Sequence, residues 1–158
     1  MRVIPFEPQY KRDFIEMNEA WISEMFRLEP EDQRLLNEVE SEIARGAQIF
    51  FAIDEETSRA ASCCMVAPFN DHEWEIEKFA TRKEFARRGA GTAVLLACIE
   101  YAKRKGCKKL LIVSNTKCEQ ALRLYRKTGF KEIPVDKERF PFERGNISFQ
   151  MDMSEFER

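Results

Sequence analysis

The 158 residues are enough for one domain with a sizeable core, and we expect a single domain over residues 1–158. Apolar residues make up 44% and charged residues 34%, and the net charge of −2 argues against nucleic acid or an acidic membrane as a partner. Five cysteines lack the spacing of a disulfide framework, and the first stretch, MRVIPFEPQY, lacks the apolar segment of a signal peptide. These features predict a cytoplasmic protein with reduced thiols.

The first part of the chain predicts one edge strand and two helices. RVIP (2–5) is typical of a short edge strand that ends at a proline. A helix follows, because apolar residues recur at the spacing of one helix face: Phe14, Met17, Trp21, Ile22 and Met25. A second helix is predicted from Pro30, at its first position, to a stop near Gly46, with an apolar side formed by Leu36, Val39 and Ile43.

Three consecutive strands are predicted next, at 47–54, 59–67 and 74–81. The later chain alternates helix and strand. One helix carries Leu95, Leu96, Ile99 and Ala102, a strand follows at 108–114, and the next helix carries Ala121, Leu122, Leu124 and Tyr125. Three strands in a row favour an antiparallel part, and the alternation favours crossovers and a parallel pair. The sequence therefore predicts a mixed α/β sheet with helices on both faces.

Two strands are predicted near the end of the chain. KEIPV (131–135) is the weaker of them, because Pro134 limits its pairing. ISFQMDM (147–153) alternates, which places Ile147, Phe149, Met151 and Met153 inward and Ser148, Gln150 and Asp152 towards water. This second strand could also pair across a homodimer.

The stretch EFARRGAGTAVLLA (84–97) brings two arginines and two glycines to the start of a helix. It lacks the lysine of a P-loop and the third small residue of a dinucleotide fingerprint. The stretch nevertheless suits a diphosphate. The start of a helix supplies free amides, the glycines let the backbone approach an anion closely, and Arg87 and Arg88 supply positive charge. The alternative is a glycine turn whose arginines are merely solvated.

Residues 75–134 together resemble the core of the GNAT superfamily of N-acetyltransferases, whose fold has a mostly antiparallel sheet with a central parallel pair. The superfamily loop is written Q/R-x-x-G-x-G/A, and Ala86 departs from its first position when Gly89 and Gly91 are its glycines. A shifted match, Arg88 to Ala93, also satisfies the pattern, but helix spacing favours the first register. The resemblance implies acetyl-CoA as cosubstrate, held by Phe79, Ala80, Thr81, Arg87, Arg88, Gly89, Ala90, Gly91, Thr92 and Asn115.

Acetyl transfer to an amine needs a base, because a free alkylamine has a pKa near ~10. Glu75 and Glu77 are two apart on a strand and share one face. The resemblance implies Glu75 as the base, with Glu77 in reserve; the alternative is that both face water or pair with Lys78 or Arg82. It also places Tyr125 near the CoA sulfur, where its phenol could protonate the thiolate. The alternative for Tyr125 is a core position on an amphipathic helix.

The tail FERGNISFQMD (142–152) resembles a bacterial subgroup of these enzymes that has a Tyr-x-Arg-x-Asn/Asp-Ile pattern there. Phe142 replaces the tyrosine, and Arg144, Asn146 and Ile147 match. An acceptor pocket could be lined by Phe26, Phe140 and Phe142, whereas Trp21 is the better candidate for the core. We expect direct transfer to a small-molecule or peptide amine in a ternary complex, without a metal, since no second ligand accompanies His72. A non-catalytic acyl-CoA sensor and a structural protein with an empty loop are the alternatives.

Overall fold

The computed structural model describes residues 1–140 and 142–157. Its strands are β1 (Arg2–Pro5), β2 (Gln48–Ile53), β3 (Ala60–Pro68), β4 (Glu73–Thr81), β5 (Lys109–Ser114), β6 (Lys131–Ile133) and β7 (Ile147–Asp152). Its α-helices are α1 (Lys11–Met25), α2 (Pro30–Asn37), α3 (Val39–Ala44), α4 (Ala90–Arg104) and α5 (Glu119–Thr128). No helix among these residues combines the length and the apolar character that a bilayer crossing requires.

The strands form one sheet in the order β1-β2-β3-β4-β5-β7-β6. Only β4 and β5 run parallel among the described pairs, and they lie at the centre. The predicted mixed sheet and the predicted edge position of residues 2–5 are therefore confirmed. The predicted pairing of residues 147–153 across a dimer is wrong, because β7 lies inside the sheet between β5 and β6. A homodimer through another surface stays a prediction.

Helices cover both faces of the sheet, because its inner strands are apolar on both sides. Neighbouring residues of β2 show this: Phe50 packs into the core beneath α4 and α5, whereas Phe51 packs into the core beneath α1, α2 and α3. Cys63 and Cys64 divide in the same way between the two cores, as their adjacent positions on a strand predict. The sheet is thus the middle layer of three.

Three details of the sequence prediction need correction. The single helix predicted from Pro30 is two, because Glu38 leaves helical geometry with ψ of 35° and redirects the chain so that Val39 is fully buried. The strand predicted at 131–135 ends at Ile133, before Pro134, which lacks the N–H that a ladder needs. Ser148 is buried rather than solvated, and its hydroxyl is satisfied by donating to the carbonyl oxygen of Ile112.

Candidate active site

A cleft opens in the centre of the sheet where β4 and β5 separate. The two strands pair from Glu73 with Lys109 to Ile76 with Ile112. Beyond that point β4 stays with β3 and β5 stays with β7, so their facing edges carry free backbone groups. The cleft has a volume of about 700 Å³ and is bordered by the end of α1, the first turns of α4 and α5, and the loop before β7.

All of the predicted site residues except one line this cleft: Glu75, Glu77, Phe79, Ala80, Thr81, Arg87, Gly89, Ala90, Gly91, Thr92, Asn115 and Tyr125. The exception is Arg88, which does not line the cleft; its guanidinium carbon lies 5.5 Å from the centre of the ring of Phe85, a lining residue. Residues from two distant stretches of sequence, 75–92 and 115–125, therefore meet around one space.

One end of the cleft is a cradle of free amides at the start of α4. Arg87 and Gly89 adopt left-handed backbone conformations, with φ of 65° and 81°. The N–H of Ala93 donates to the carbonyl oxygen of Gly89, but the amides of residues 87–92 have no acceptor among the described residues. Six successive free donors at the positive end of a fifteen-residue helix fit a diphosphate.

The two glycines of the cradle serve different purposes. Gly89 supplies the left-handed turn, and a Cβ there would meet no atom within 4 Å. Gly91 lies against β4 instead: a Cβ there would stand 3.2 Å from Cζ of Phe79 and 3.3 Å from Oγ1 of Thr81. Gly91 therefore allows the helix to begin directly beside the strand.

A bulge in β4 shapes the middle of the cleft. Glu77 pairs with Met65 and Ala80 with Cys63, so Lys78 and Phe79 both lie opposite Cys64. Lys78 has φ of 52°, an uncommon value for a residue other than glycine. The extra residue turns Lys78 towards α2, where its ammonium reaches Asp32, while Phe79 packs against the opposite core beside Tyr125.

Glu75 and Glu77 project from β4 into the cleft and are half-buried. Neither carboxylate makes a hydrogen bond or ion pair with another side chain in the described part of the chain. Burial, and then the charge of Glu77, raise the pKa of Glu75 well above its usual range. Burial also raises the pKa of Glu77, although the ammonium of Lys78 opposes the shift. Raised pKa values of this kind suit the two carboxyl groups to proton transfer.

Tyr125 lines the cleft from α5, and its ring packs against Phe79, Phe130 and Phe149 with centroids 5.7 to 6.2 Å apart. Only 5% of the residue is exposed. Burial raises its pKa above the usual value, so the phenol keeps its proton. The ring contacts hold the hydroxyl in a fixed position at the cleft, where it can act as a donor.

Asn115 borders the cleft, but its side chain is already engaged. Its amide nitrogen donates to the carbonyl oxygen of Arg144 at 2.6 Å, and its amide oxygen accepts from the N–H of Lys117 at 2.8 Å. It therefore fixes the turn before α5 against the loop before β7.

A buried ion network, which the sequence did not reveal, lies beside the bulge. Both oxygens of Asp32 accept hydrogen bonds of 2.6 Å from the guanidinium of Arg144, and one also accepts from Lys78 at 3.0 Å. Glu29 accepts from Arg144 at 3.1 Å. Burial favours the neutral form of Asp32, but the hydrogen bonds from Arg144 and the charge of Lys78 prevail and lower its pKa to about 2. The one sequence signal was Arg144, as a position in the tail pattern.

The other end of the cleft has aromatic walls. Trp21 and Phe26 contact each other edge to face at 6.4 Å, and Phe142 lies under the ammonium of Lys78 at 4.8 Å and the guanidinium of Arg144 at 4.6 Å. All three rings line the cleft. Trp21 is half-buried: it packs against the core beneath α1, α2 and α3, as predicted, and also lines the cleft. Phe140 is buried outside the lining. Within residues 1–140 and 142–157, no three His, Cys, Asp or Glu side chains cluster as metal ligands would.

Comparison with known proteins identifies a family. The sequence profile of the acetyltransferase (GNAT) family matches residues 11–130. A GNAT-family acetyltransferase of Staphylococcus aureus Mu50 has 18% identity and a TM-score of 0.85, with 96% of this chain and 98% of that chain covered. None of the curated proteins compared with this sequence resembles it.

Two further solved structures carry a ligand. The PaiA N-acetyltransferase of Thermoplasma acidophilum, in complex with coenzyme A, has 15% identity, a TM-score of 0.72, and coverage of 96% of this chain and 99% of its own. A GNAT-family acetyltransferase of Elizabethkingia anophelis with acetyl-CoA bound has 20% identity, a TM-score of 0.61, and coverage of 96% and 97%. The profile match spans most of the chain and the fold agrees with these structures: this chain belongs to the GNAT family of acetyltransferases.

Proposed function

We propose that this protein transfers the acetyl group of acetyl-CoA directly to a primary amine, within a ternary complex. One observation carries the proposal: a single cleft joins free amides at the start of α4 to a buried phenol and to two carboxylates without a hydrogen-bond partner among the described side chains. A diphosphate bound to these amides would direct the thioester along the free edge of β4 towards the two carboxylates and the phenol. Solved relatives that hold CoA or acetyl-CoA support this choice of cosubstrate.

Each residue has a defined task in the proposed reaction. Acetyl-CoA, when bound, supplies an acetyl group activated as a thioester. Glu75 accepts a proton from the ammonium of the acceptor, which gives the neutral amine that attacks the thioester carbonyl. Free N–H groups where β4 and β5 separate are available to the developing oxyanion. Tyr125 donates its proton to the departing sulfur, and its phenolate takes up the second proton that the nitrogen releases as the amide forms. Glu77 is the reserve base.

The test is a CoA-thiol release assay with a panel of amines, run on the wild type, Glu75→Gln, Glu77→Gln and Tyr125→Phe. We expect Glu75→Gln to lower kcat by roughly 10²- to 10⁴-fold. Tyr125→Phe should lower kcat while leaving the fold intact, because the ring contacts are kept. Two matched controls lie outside the cleft and should change little: Glu143→Gln, on an exposed residue, and Tyr101→Phe, on a residue of α4 whose ring packs against Phe50 and Trp74.

Unchanged turnover in Glu75→Gln and Tyr125→Phe would show that the assigned chemistry is wrong. Tight binding of acetyl-CoA without acetylation of any amine would instead favour a non-catalytic sensor. We further propose a cytoplasmic location, supported by the five cysteines, all of which are free thiols.

A further inference from the structure

The acceptor end of the cleft combines an apolar wall with two free carboxylates. Trp21 and Phe26 come from α1 and the residue that follows it, and Phe142 comes from the loop before β7. Contacts link this wall to β4, since Arg144 lies near the rings of both Trp21 and Phe142, and the ammonium of Lys78, the residue after Glu77, lies over the ring of Phe142. An acceptor whose nitrogen approaches the glutamates would therefore place its substituent against aromatic rings.

The cations at this end are already neutralised. Lys78 and Arg144 face two carboxylates, those of Asp32 and Glu29, with donor–acceptor distances of 2.6 to 3.1 Å. Lys83 pairs with Glu24 at 2.7 Å. Lys117 lines the cleft near Phe26, but it is exposed, so water screens its charge. The ionisable groups that remain for an acceptor in this part of the cleft are the carboxyl groups of Glu75 and Glu77, which are neutral or negative and never positive.

We propose that the acceptor is a small primary amine with an apolar, aromatic substituent and no acidic group next to the nitrogen. This inference rests on the proposed acetyl transfer at the same site. The ammonium of such an amine meets free carboxylates, and its substituent replaces water on Trp21, Phe26 and Phe142. A free amino acid would instead bring its carboxylate towards Glu75 and Glu77 with no free buried cation to receive it. That juxtaposition of like charges should exclude free amino acids.

Three acceptors that share one aromatic group test the proposal: 2-phenylethylamine, L-phenylalanine and L-phenylalaninamide, with spermidine as a polar comparison. We expect kcat/KM for 2-phenylethylamine to exceed that for phenylalanine by roughly 100-fold, the usual scale of a like-charge mismatch in a desolvated site. Phenylalaninamide should resemble 2-phenylethylamine, because it keeps the bulk of the substituent at the α-carbon and removes the charge. Spermidine should be a poor acceptor, since it has no ring for the wall.

A charge variant tests the cause of the preference. Glu29→Gln removes one of the two carboxylates that neutralise Lys78 and Arg144, and leaves that network with an excess positive charge. The ratio of kcat/KM between 2-phenylethylamine and phenylalanine should then fall by roughly tenfold. Glu143→Gln makes the same chemical change on an exposed residue that pairs with Arg27 and should leave the ratio unchanged.

The outcomes separate this inference from the proposed function. Equal rates for 2-phenylethylamine and phenylalanine, or a preference for phenylalanine or spermidine, would overturn the inference while acetyl transfer to amines stands. Binding of acetyl-CoA without acetylation of any of these four amines would overturn the inference, and the same result across the whole panel of amines would overturn the proposed function as well. The expected order of acceptors, with a Glu29→Gln ratio no different from the wild type, would overturn the assigned electrostatic cause.

Discussion

Replacing Asp32 by asparagine should destabilise the protein strongly, because this carboxylate holds two cations in a buried network. The side chain of Asp32 is fully buried and those of Lys78 and Arg144 are 3% and 13% exposed. In Asp32→Asn, Arg144 keeps Glu29 as an ion-pair partner, whereas Lys78 loses the one ion pair that it makes among the described residues. Both the bulge in β4 and the loop before β7 would then lose the group that joins them to α2.

The size of the effect follows from the pKa of Asp32. A fall from 3.8 to about 2 corresponds to about 2 kcal/mol of stability at pH 7, at about 1.4 kcal/mol per unit. Removing one partner from a buried ion pair costs roughly 3–5 kcal/mol. We therefore expect a loss of about 2–5 kcal/mol and a fall in Tm of roughly 5–15 °C for a chain of this length.

The pH dependence gives a second measure of the same contribution. Because the pKa of Asp32 is lowered in the folded protein, its stabilisation is present above about pH 4 and is lost as the pH falls through about 2. The difference between wild type and Asp32→Asn should therefore be largest at pH 7 and about half as large at pH 3. At pH 3, partial protonation of Asp32 has already removed some of the stabilisation that Asp32→Asn lacks at every pH.

Urea unfolding at pH 7 and pH 3 measures both quantities, with Asp71→Asn as the control. Asp71 is exposed in the loop before β4, so the same chemical change should shift stability by less than ~0.5 kcal/mol there. A loss below ~1 kcal/mol in Asp32→Asn at pH 7, or a loss that does not shrink at pH 3, would refute this account of the network.

The remaining predictions concern the base and the cradle. Because burial raises the pKa of Glu75 and a base acts deprotonated, kcat/KM should fall as the pH is lowered through a value above 4.5, and Glu75→Gln should remove this limb. Gly91→Ala should weaken CoA binding in calorimetry by roughly tenfold through contact with β4, whereas Gly89→Ala should mainly lower stability, by about 1–2 kcal/mol, through its left-handed backbone. Arg87→Ala should weaken CoA binding by roughly tenfold. Arg88→Ala should change it less than about twofold, since this side chain lies on Phe85; equal effects of the two arginines would contradict their placement.

Apolar spacing and short motifs were sufficient to predict most of the helices and strands, and the part of the site at the start of α4. Apolar spacing located the long helices, and alternation located the strands that cross the core. The cradle was predictable because its requirements are local: a glycine with positive φ, a close approach at Gly91, and free amides at the start of α4. The paired positions of Glu75 and Glu77 followed from the two-residue period of a strand.

Local rules failed where a side chain was set by distant parts of the chain. Alternation from Glu77 would send Lys78 to the face opposite the glutamates, but the bulge breaks the period and turns it towards α2. Its partner Asp32 is 46 residues away, and Arg144 is 112 residues from Asp32. Nothing in local spacing links these positions.

The sequence by itself determined the family, the layered α/β fold and a glycine-containing loop with free amides at the start of α4, because these depend on periodicity and on short motifs. Tertiary structure alone decided that Arg88 lies on Phe85 outside the cleft, and that Asp32 and Glu29 neutralise the two cations near the acceptor end. The physical reason is that the direction of a charged side chain depends on the oppositely charged groups that folding brings within about 3 Å. Those groups come from α2, β4 and the loop before β7, which meet only in the folded chain.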